Sequence, residues 1–176
     1  MIEGRSVDLR RVELADLPLL ARWLSDIEVN GRFEPFEQVS LSELQRDFEA
    51  KEDVFWLLAQ KKDGTPVGLV SHGKAHGGCW IGCLVVPGER GQGFGTEMIG
   101  LIVDYLFLHL DIGRIQCEIH PENVVSQRMV ERVGFQREGV LRKTYFSRGT
   151  WRDTVMFSIL REEWGAPRIL PLEDPA

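Results

Sequence analysis

Between Val54 and Leu110 the hydrophobic period changes once, and that change constrains the fold more than any other feature of the chain. The runs "VFWLLAQ" and "PVGLVSHG" are β-rich and separated by Lys62-Asp63-Gly64-Thr65, a turn signal of an antiparallel hairpin. A third run, "CWIGCLVV", follows Gly77-Gly78, so Val54 to Val86 predicts a three-stranded meander. Then comes "GERGQGFGTEM", Gly88 to Met98, with glycines at alternate positions. After it, apolar residues recur at helical spacing through Met98, Ile102, Tyr105, Leu106 and Leu110, with Gly113 closing the helix.

The flanks supply further elements. "SVDLRRV", Ser6 to Val12, alternates as a strand does, and "ADLPLLARWLSD" reads as a helix with Asp16 as N-cap, Pro18 in its first turn and Leu20, Trp23 and Leu24 on one face. Ser40 with Glu43 three residues on forms a capping box, which starts a second helix burying Leu44 and Phe48. "NGRFEPFEQ" between them reads as a loop. Past Gly113 follow a strand ("RIQCEIH"), a helix from about Asn123, and two strands around "VLRKTYFS" and "WRDTVMFSIL". The predicted class is α/β in the α+β sense, a mixed, mostly antiparallel sheet of about seven strands with helices on both faces. One domain over 1–176 is expected, with its core in 7–164 and a Pro-rich tail from 165 to 176. A chain of this length buries roughly 70% of its unfolded surface. "IEGR" at positions 2–5 is also a protease-linker sequence; with only Met1 before it, it reads as native.

Twenty-seven acidic against 21 basic residues, net −6, give no basic footprint for nucleic acid and fit a cationic or amine-bearing partner better. Three cysteines make no disulfide framework, and no secretory or membrane-spanning run is present, so a cytoplasmic protein without membrane partners is expected. His72, His76, Cys79 and Cys83 lie within 12 residues, but without paired CxxC spacing and with the cysteines inside a strand-forming run. No metal is expected there.

The glycine loop has competing readings. A Walker loop needs Gly-Lys-Ser/Thr, which is missing, and a dinucleotide fold needs G-x-G-x-x-G in an early βαβ unit, whereas "GQGFG" follows an antiparallel meander. A plain strand-to-helix turn is the bland alternative. The remaining reading lets backbone N–H groups from Gln92 to Thr96 meet an anion such as pyrophosphate at the positive end of the helix.

Three ordered motifs together resemble the GNAT acyltransferase superfamily, and within it the Rim-type acetyltransferases of ribosomal-protein N-termini. Arg90 to Gly95 matches the acetyl-CoA signature; "HPENVVSQRMVERVGFQREGVLR" resembles the N-x-x-S…G-F-x-x-E-G segment; "GTWRDTVMFSILREEW" resembles the closing strands. The resemblance, spanning Val7 to Trp164, implies a sheet with a V-shaped splay between strands 4 and 5, counted from the strand at Ser6. It implies that Leu84, Val85 and Val86 bond to the pantetheine arm of acetyl-CoA, that Arg90, Gly91, Gln92, Gly93, Phe94, Gly95 and Thr96 surround the pyrophosphate, and that Asn123 and Ser126 approach the sulfur end.

Direct attack of an amine on a thioester needs a neutral amine, a polarised carbonyl and a proton for the leaving thiolate. Deprotonation at pH 7 costs about 4.6 kcal/mol for a lysine-like amine and about 1.1 for an α-amine, so an enzyme for N-termini manages with a weak base. Glu118, beside the expected cleft, is the first candidate for base or water relay, against an ion-paired or solvent-facing strand residue; His120 is the second, against a loop-stabilising hydrogen bond. Val130 stands where many relatives carry a tyrosine acid, so by resemblance Ser126 inherits the proton-donor role, with helix capping as its alternative and Tyr145 as a fallback. Trp23, Phe48 and Trp56 read as core, whereas Phe33, Glu34 and Phe36 in a polar loop are the candidate acceptor wall. The expected activity is acetyl transfer from acetyl-CoA to an amine, a protein N-terminal α-amine first, a small amine such as an antibiotic, polyamine or amino acid second, and a non-catalytic acyl-CoA sensor third. A homodimer is compatible with this reading.

Overall fold

The computed structural model describes residues 1–31, 33, 38–50 and 54–167. These form strands β1 (Ile2–Glu3), β2 (Val7–Arg11), β3 (Val54–Lys61), β4 (Pro66–Ala75), β5 (Gly78–Val85), β6 (Arg114–Ile119), β7 (Gln136–Ser147) and β8 (Thr150–Leu160). The helices are α1 (Leu17–Leu24), α2 (Ile27–Asn30), α3 (Leu41–Glu49), α4 (Phe94–His109) and α5 (Val124–Val133). One sheet runs β1-β2-β3-β4-β5-β6-β8-β7, antiparallel throughout except where β5 meets β6. The eighth strand comes from the IEGR stretch at positions 2–5: Ile2 pairs with Leu9 and packs against the core.

Two apolar layers hold the helices to the sheet. On one face α4 and α5 cover a core that includes Leu9, Ile81, Met98, Ile102, Ile115 and Phe157 and reaches both halves of the sheet. On the other, α1 and α3 bury Leu17, Leu20 and Leu44 against Leu58 and Leu69, which belong to β3 and β4. The polar face of the β6–β8–β7 half carries instead Arg114, which ion-pairs Glu138 at 3.0 Å, and Ser158, which donates to the same carboxylate at 2.6 Å.

Local chemistry accounts for most boundaries. Ser40 Oγ accepts from Glu43 N–H at 3.2 Å and Glu43 Oε2 from Ser40 N–H at 2.9 Å, the reciprocal cap its sequence predicts. Asp16 does precede α1, but its carboxylate turns back to Arg10, at 2.7 and 2.8 Å, and to the Glu13 amide. That pairing holds the Asp16 carboxyl below its usual range, chiefly through the Arg10 hydrogen bond. Helix α4 stops at His109 rather than at Gly113, because Leu110 is already extended. Arg161 gathers the carbonyls of Phe107, Leu110 and Ile112 left over beyond that end.

The feature that makes a site is the join of β5 and β6. They pair at Gly78↔Arg114, Cys79↔Ile115 and Trp80↔Gln116 and no further, although β5 continues to Val85 and β6 to Ile119. The sheet splits at this point, which is strands 4 and 5 when counting begins at Val7.

Candidate active site

A cavity of about 480 Å³ opens at the split, walled by β5, the glycine loop, the start of α4, one side of α5 and the end of α2. Its floor is a sheet edge. Val86 N–H donates to Val67 C=O at 3.0 Å, and alternation along the antiparallel ladder turns Leu84 to β4 in the same way. The groups facing the open edge are therefore those of Cys83 and Val85, and of these the Val85 carbonyl already accepts from Arg90 Nε at 2.9 Å. This corrects the expectation for Leu84 and Val86: Leu84 is turned to β4, and Val86 donates to Val67 while its C=O accepts from Glu89 N–H at 3.0 Å, so that Cys83 rather than either of them faces the open edge beside Val85.

The loop is a donor cradle. The amides of Gly91, Gln92, Gly93, Phe94, Gly95 and Thr96 donate no hydrogen bond among the described residues, and the 16-residue helix α4 starts at Phe94 behind them. Two glycines shape the cradle: Gly91 and Gly93 have φ of 79° and 89°, the left-handed region. Gly95 has a different task, because a Cβ there would lie 2.7 Å from Met129 Sδ, so its absence lets α5 come close. Glu89 would oppose an anion here, but Lys61 neutralises it at 2.7 Å while Gln92 folds back onto its other oxygen at 3.0 Å. Six free amides at a helix start and an open strand edge fit a pyrophosphate joined to an amide-bearing arm.

Arg90 is engaged with backbone carbonyls. Its Nε donates to Val85 C=O at 2.9 Å, and Nη2 to the carbonyls of Val29 at 2.6 Å and Glu28 at 3.2 Å. The guanidinium staples α2 to the edge of β5, while Arg90 still lines the cavity beside the glycine loop.

At the far end of the cavity Asn123 caps α5 by accepting from Ser126 N–H at 3.2 Å. Capping thus belongs to Asn123, and the Ser126 hydroxyl, on the cavity wall, has no hydrogen-bond partner among the described residues. Met129 and Arg132 share that wall, at the helical spacing that follows from Ser126; sequence periodicity could have found them. Val29 and Asn30, from the four-residue α2, carried no such signal.

Beyond Phe33 lies a second cavity of about 150 Å³, lined by Phe33, His120, Glu122, Tyr145, Ser147, Arg148 and Arg152. Phe33 walls both cavities and packs against His120 with ring centroids 4.9 Å apart and the planes tilted by 32°. His120 Nδ1 accepts from Glu122 N–H at 3.1 Å, which is the loop-stabilising bond. Tyr145 Oη donates to Phe33 C=O at 2.6 Å, so the fallback acid is already committed. Glu118 lies on neither wall. It projects from the face opposite Cys117, two residues past the last β5–β6 pair, and accepts from Thr154 Oγ1 at 2.7 Å. Glu34 and Phe36 lie outside the described residues.

The sequence pattern of the acetyltransferase (GNAT) domain family matches residues 6–136. The chain belongs to the GNAT acetyltransferases. It is 30% identical over 167 residues to an uncharacterized N-acetyltransferase, p20, of Bacillus licheniformis, covering 89% of this chain and 93% of that one. Mycobacterium smegmatis RimJ, solved in complex with CoA-disulfide, is 26% identical with a TM-score of 0.78, covering 93% of this chain and 85% of RimJ. The Vibrio cholerae spermidine N-acetyltransferase solved with CoA and spermine has a TM-score of 0.81 at 23% identity, covering 90% and 97%. This GNAT protein is an acetyl-CoA-dependent N-acetyltransferase with the fold of its family, and acetyl-CoA is its acetyl donor. Among its described residues no cluster of His, Cys, Asp or Glu could hold a metal ion, and no helix is long and apolar enough to cross a membrane.

Proposed function

We propose that the acceptor is a protein N-terminal α-amine. The observation that carries this reading is the charge on the acceptor side: the second cavity offers Arg148 and Arg152 against Glu122 alone among its described lining. A polyamine would bring further cations to that wall and need carboxylates to receive them, whereas an N-terminus brings one amine of low basicity. The two guanidinium groups also favour its neutral form, since like charge disfavours protonation. RimJ, a similar protein, is consistent with this choice, and the spermidine enzyme shares the fold.

In this reading the amides from Gly91 to Thr96 hold the pyrophosphate, and Cys83 and Val85 hold the pantetheine arm along the open edge. When bound, acetyl-CoA supplies an activated acetyl thioester. Phe33 and the His120 ring orient the incoming amine and keep bulk water from the split. Ser126 Oγ carries the proton needed at the departing sulfur. Glu118, off both cavity walls and held by Thr154 Oγ1, receives the amine proton only through intervening water, a relay that suffices because an α-amine costs only about 1.1 kcal/mol to deprotonate at pH 7.

Thiol release from acetyl-CoA, measured over N-terminal peptides, spermidine and amino acids, tests the proposal. The expected result is turnover on peptides at a kcat/KM at least tenfold above spermidine, with Ser126→Ala lowering kcat about a hundredfold. Preference for spermidine would overturn the acceptor assignment, and CoA binding without turnover on any amine would favour an acyl-CoA sensor.

A further inference from the structure

The second cavity carries more cationic chemistry than acetyl transfer requires. Arg152 is the cross-strand partner of Tyr145, so both side chains leave the same face of the β7–β8 hairpin, and Ser147 shares that face by strand alternation. Arg148 occupies the hairpin tip with a φ of 51°, a left-handed conformation for which asparagine or glycine is the ordinary choice in a two-residue turn. A long cationic side chain is kept there despite the backbone cost. Neither guanidinium has a hydrogen-bond or ion-pair partner among the described residues. Ser147 is 9% exposed, lines the same pocket and likewise has no partner for its hydroxyl. Two guanidinium groups and a hydroxyl form a donor set for a carboxylate, which arginine binds through paired N–H groups.

We propose that Arg148, Arg152 and Ser147 form an anion subsite that receives an acidic side chain of the acceptor polypeptide. The preferred substrates are then N-termini with Asp or Glu within the first residues after the reacting α-amine, because each residue advances the chain by about 3.3–3.6 Å and the pocket begins directly behind Phe33. This rests on the N-terminal reading of the acceptor and narrows it. Glu122, on the same wall, repels the acid weakly but also pins His120, leaving the two arginines as the larger charge.

The test is calorimetric titration of the CoA-saturated protein with three matched peptides whose second and third residues are Glu, Gln or Lys. The Glu peptide is expected to bind about tenfold tighter than the Gln peptide, about 1.4 kcal/mol, and tighter still than the Lys peptide, with the margin shrinking as salt rises. In the Arg148→Asn/Arg152→Gln variant the margin disappears; asparagine tolerates the left-handed turn, so the hairpin is retained. Arg152→Lys recovers part of it. Equal binding of the three peptides, including none at all, or a margin that survives the double substitution, overturns the subsite. Turnover of the same peptides reports separately: preferential binding of the Glu peptide with acetylation of free small amines alone would sink the N-terminal reading and leave the subsite standing. Acetylation of all three peptides alike would do the reverse.

Discussion

Replacing Arg90 by alanine should destabilise the protein before any ligand is added. Its guanidinium makes three hydrogen bonds, to Val85, Val29 and Glu28 carbonyls, and two of these acceptors lie in α2, a helix of only four residues with little stability of its own. A charged donor contributes about 1.5–3 kcal/mol per bond when shielded, but Arg90 is exposed and one cation serves all three acceptors. A total of about 2 kcal/mol follows, of which interaction with a helix C-terminus accounts for about 0.3–1. At about 2–4 °C per kcal/mol for a chain of this length, Arg90→Ala lowers the Tm by about 4–8 °C. Arg90→Lys, which keeps the charge but not the fork, should recover less than half. Calorimetry with and without CoA measures this, and the loss should be present in the CoA-free protein. A CoA-free Tm within about 1 °C of wild type, with CoA affinity reduced tenfold or more, would refute the staple and put the guanidinium on the cofactor.

Gly95→Ala should cost about 1–3 kcal/mol in urea unfolding through the clash with Met129 Sδ, and Met129→Ala in the same chain should relieve part of it. Asn123→Ala should cost about 0.5–2 kcal/mol and Asn123→Asp much less, since an aspartate still accepts from Ser126 N–H. Burial lowers the His72 pKa, so the unfolded chain binds the extra proton first; stability is full above about pH 6.5 and falls as pH drops below it. The urea midpoint of wild type should decline from pH 7 to 5.5 more steeply than that of His72→Gln. The Cys117 thiol, pushed up to about 12 by burial, should resist iodoacetamide at pH 8 until the chain unfolds.

Elements with a strong period or a side-chain cap were legible in the sequence: the meander, α4, and α3 with its Ser40–Glu43 box. The cradle was legible as well, because alternate glycines have few other uses before a helix. Roles that depend on which edge of a strand an amide faces were not. Leu84 and Val86 differ from Cys83 and Val85 only in ladder parity, which is fixed by the pairing with β4 and invisible in composition. The stapling by Arg90 was not legible for a related reason: two of its partners are backbone carbonyls some 60 positions earlier, and a carbonyl leaves no trace in residue type. In the second cavity Phe33 stood out from its loop in the sequence, while Arg148 and Arg152 are brought beside it by a hairpin more than 110 positions away.

The short join between β5 and β6 has a mechanical side. Three register positions couple the two halves of the sheet, and the apolar layer under α4 and α5 bridges them on one face only. The molecule resembles a book whose spine is that layer and whose pages part toward Val85 and Ile119. A cofactor lying along the open edge replaces pairings that the strands themselves do not make, so it acts as a removable strand. Amide exchange in β5 beyond Trp80 should therefore slow on CoA addition far more than in β2 or β3, where the ladder is complete without it.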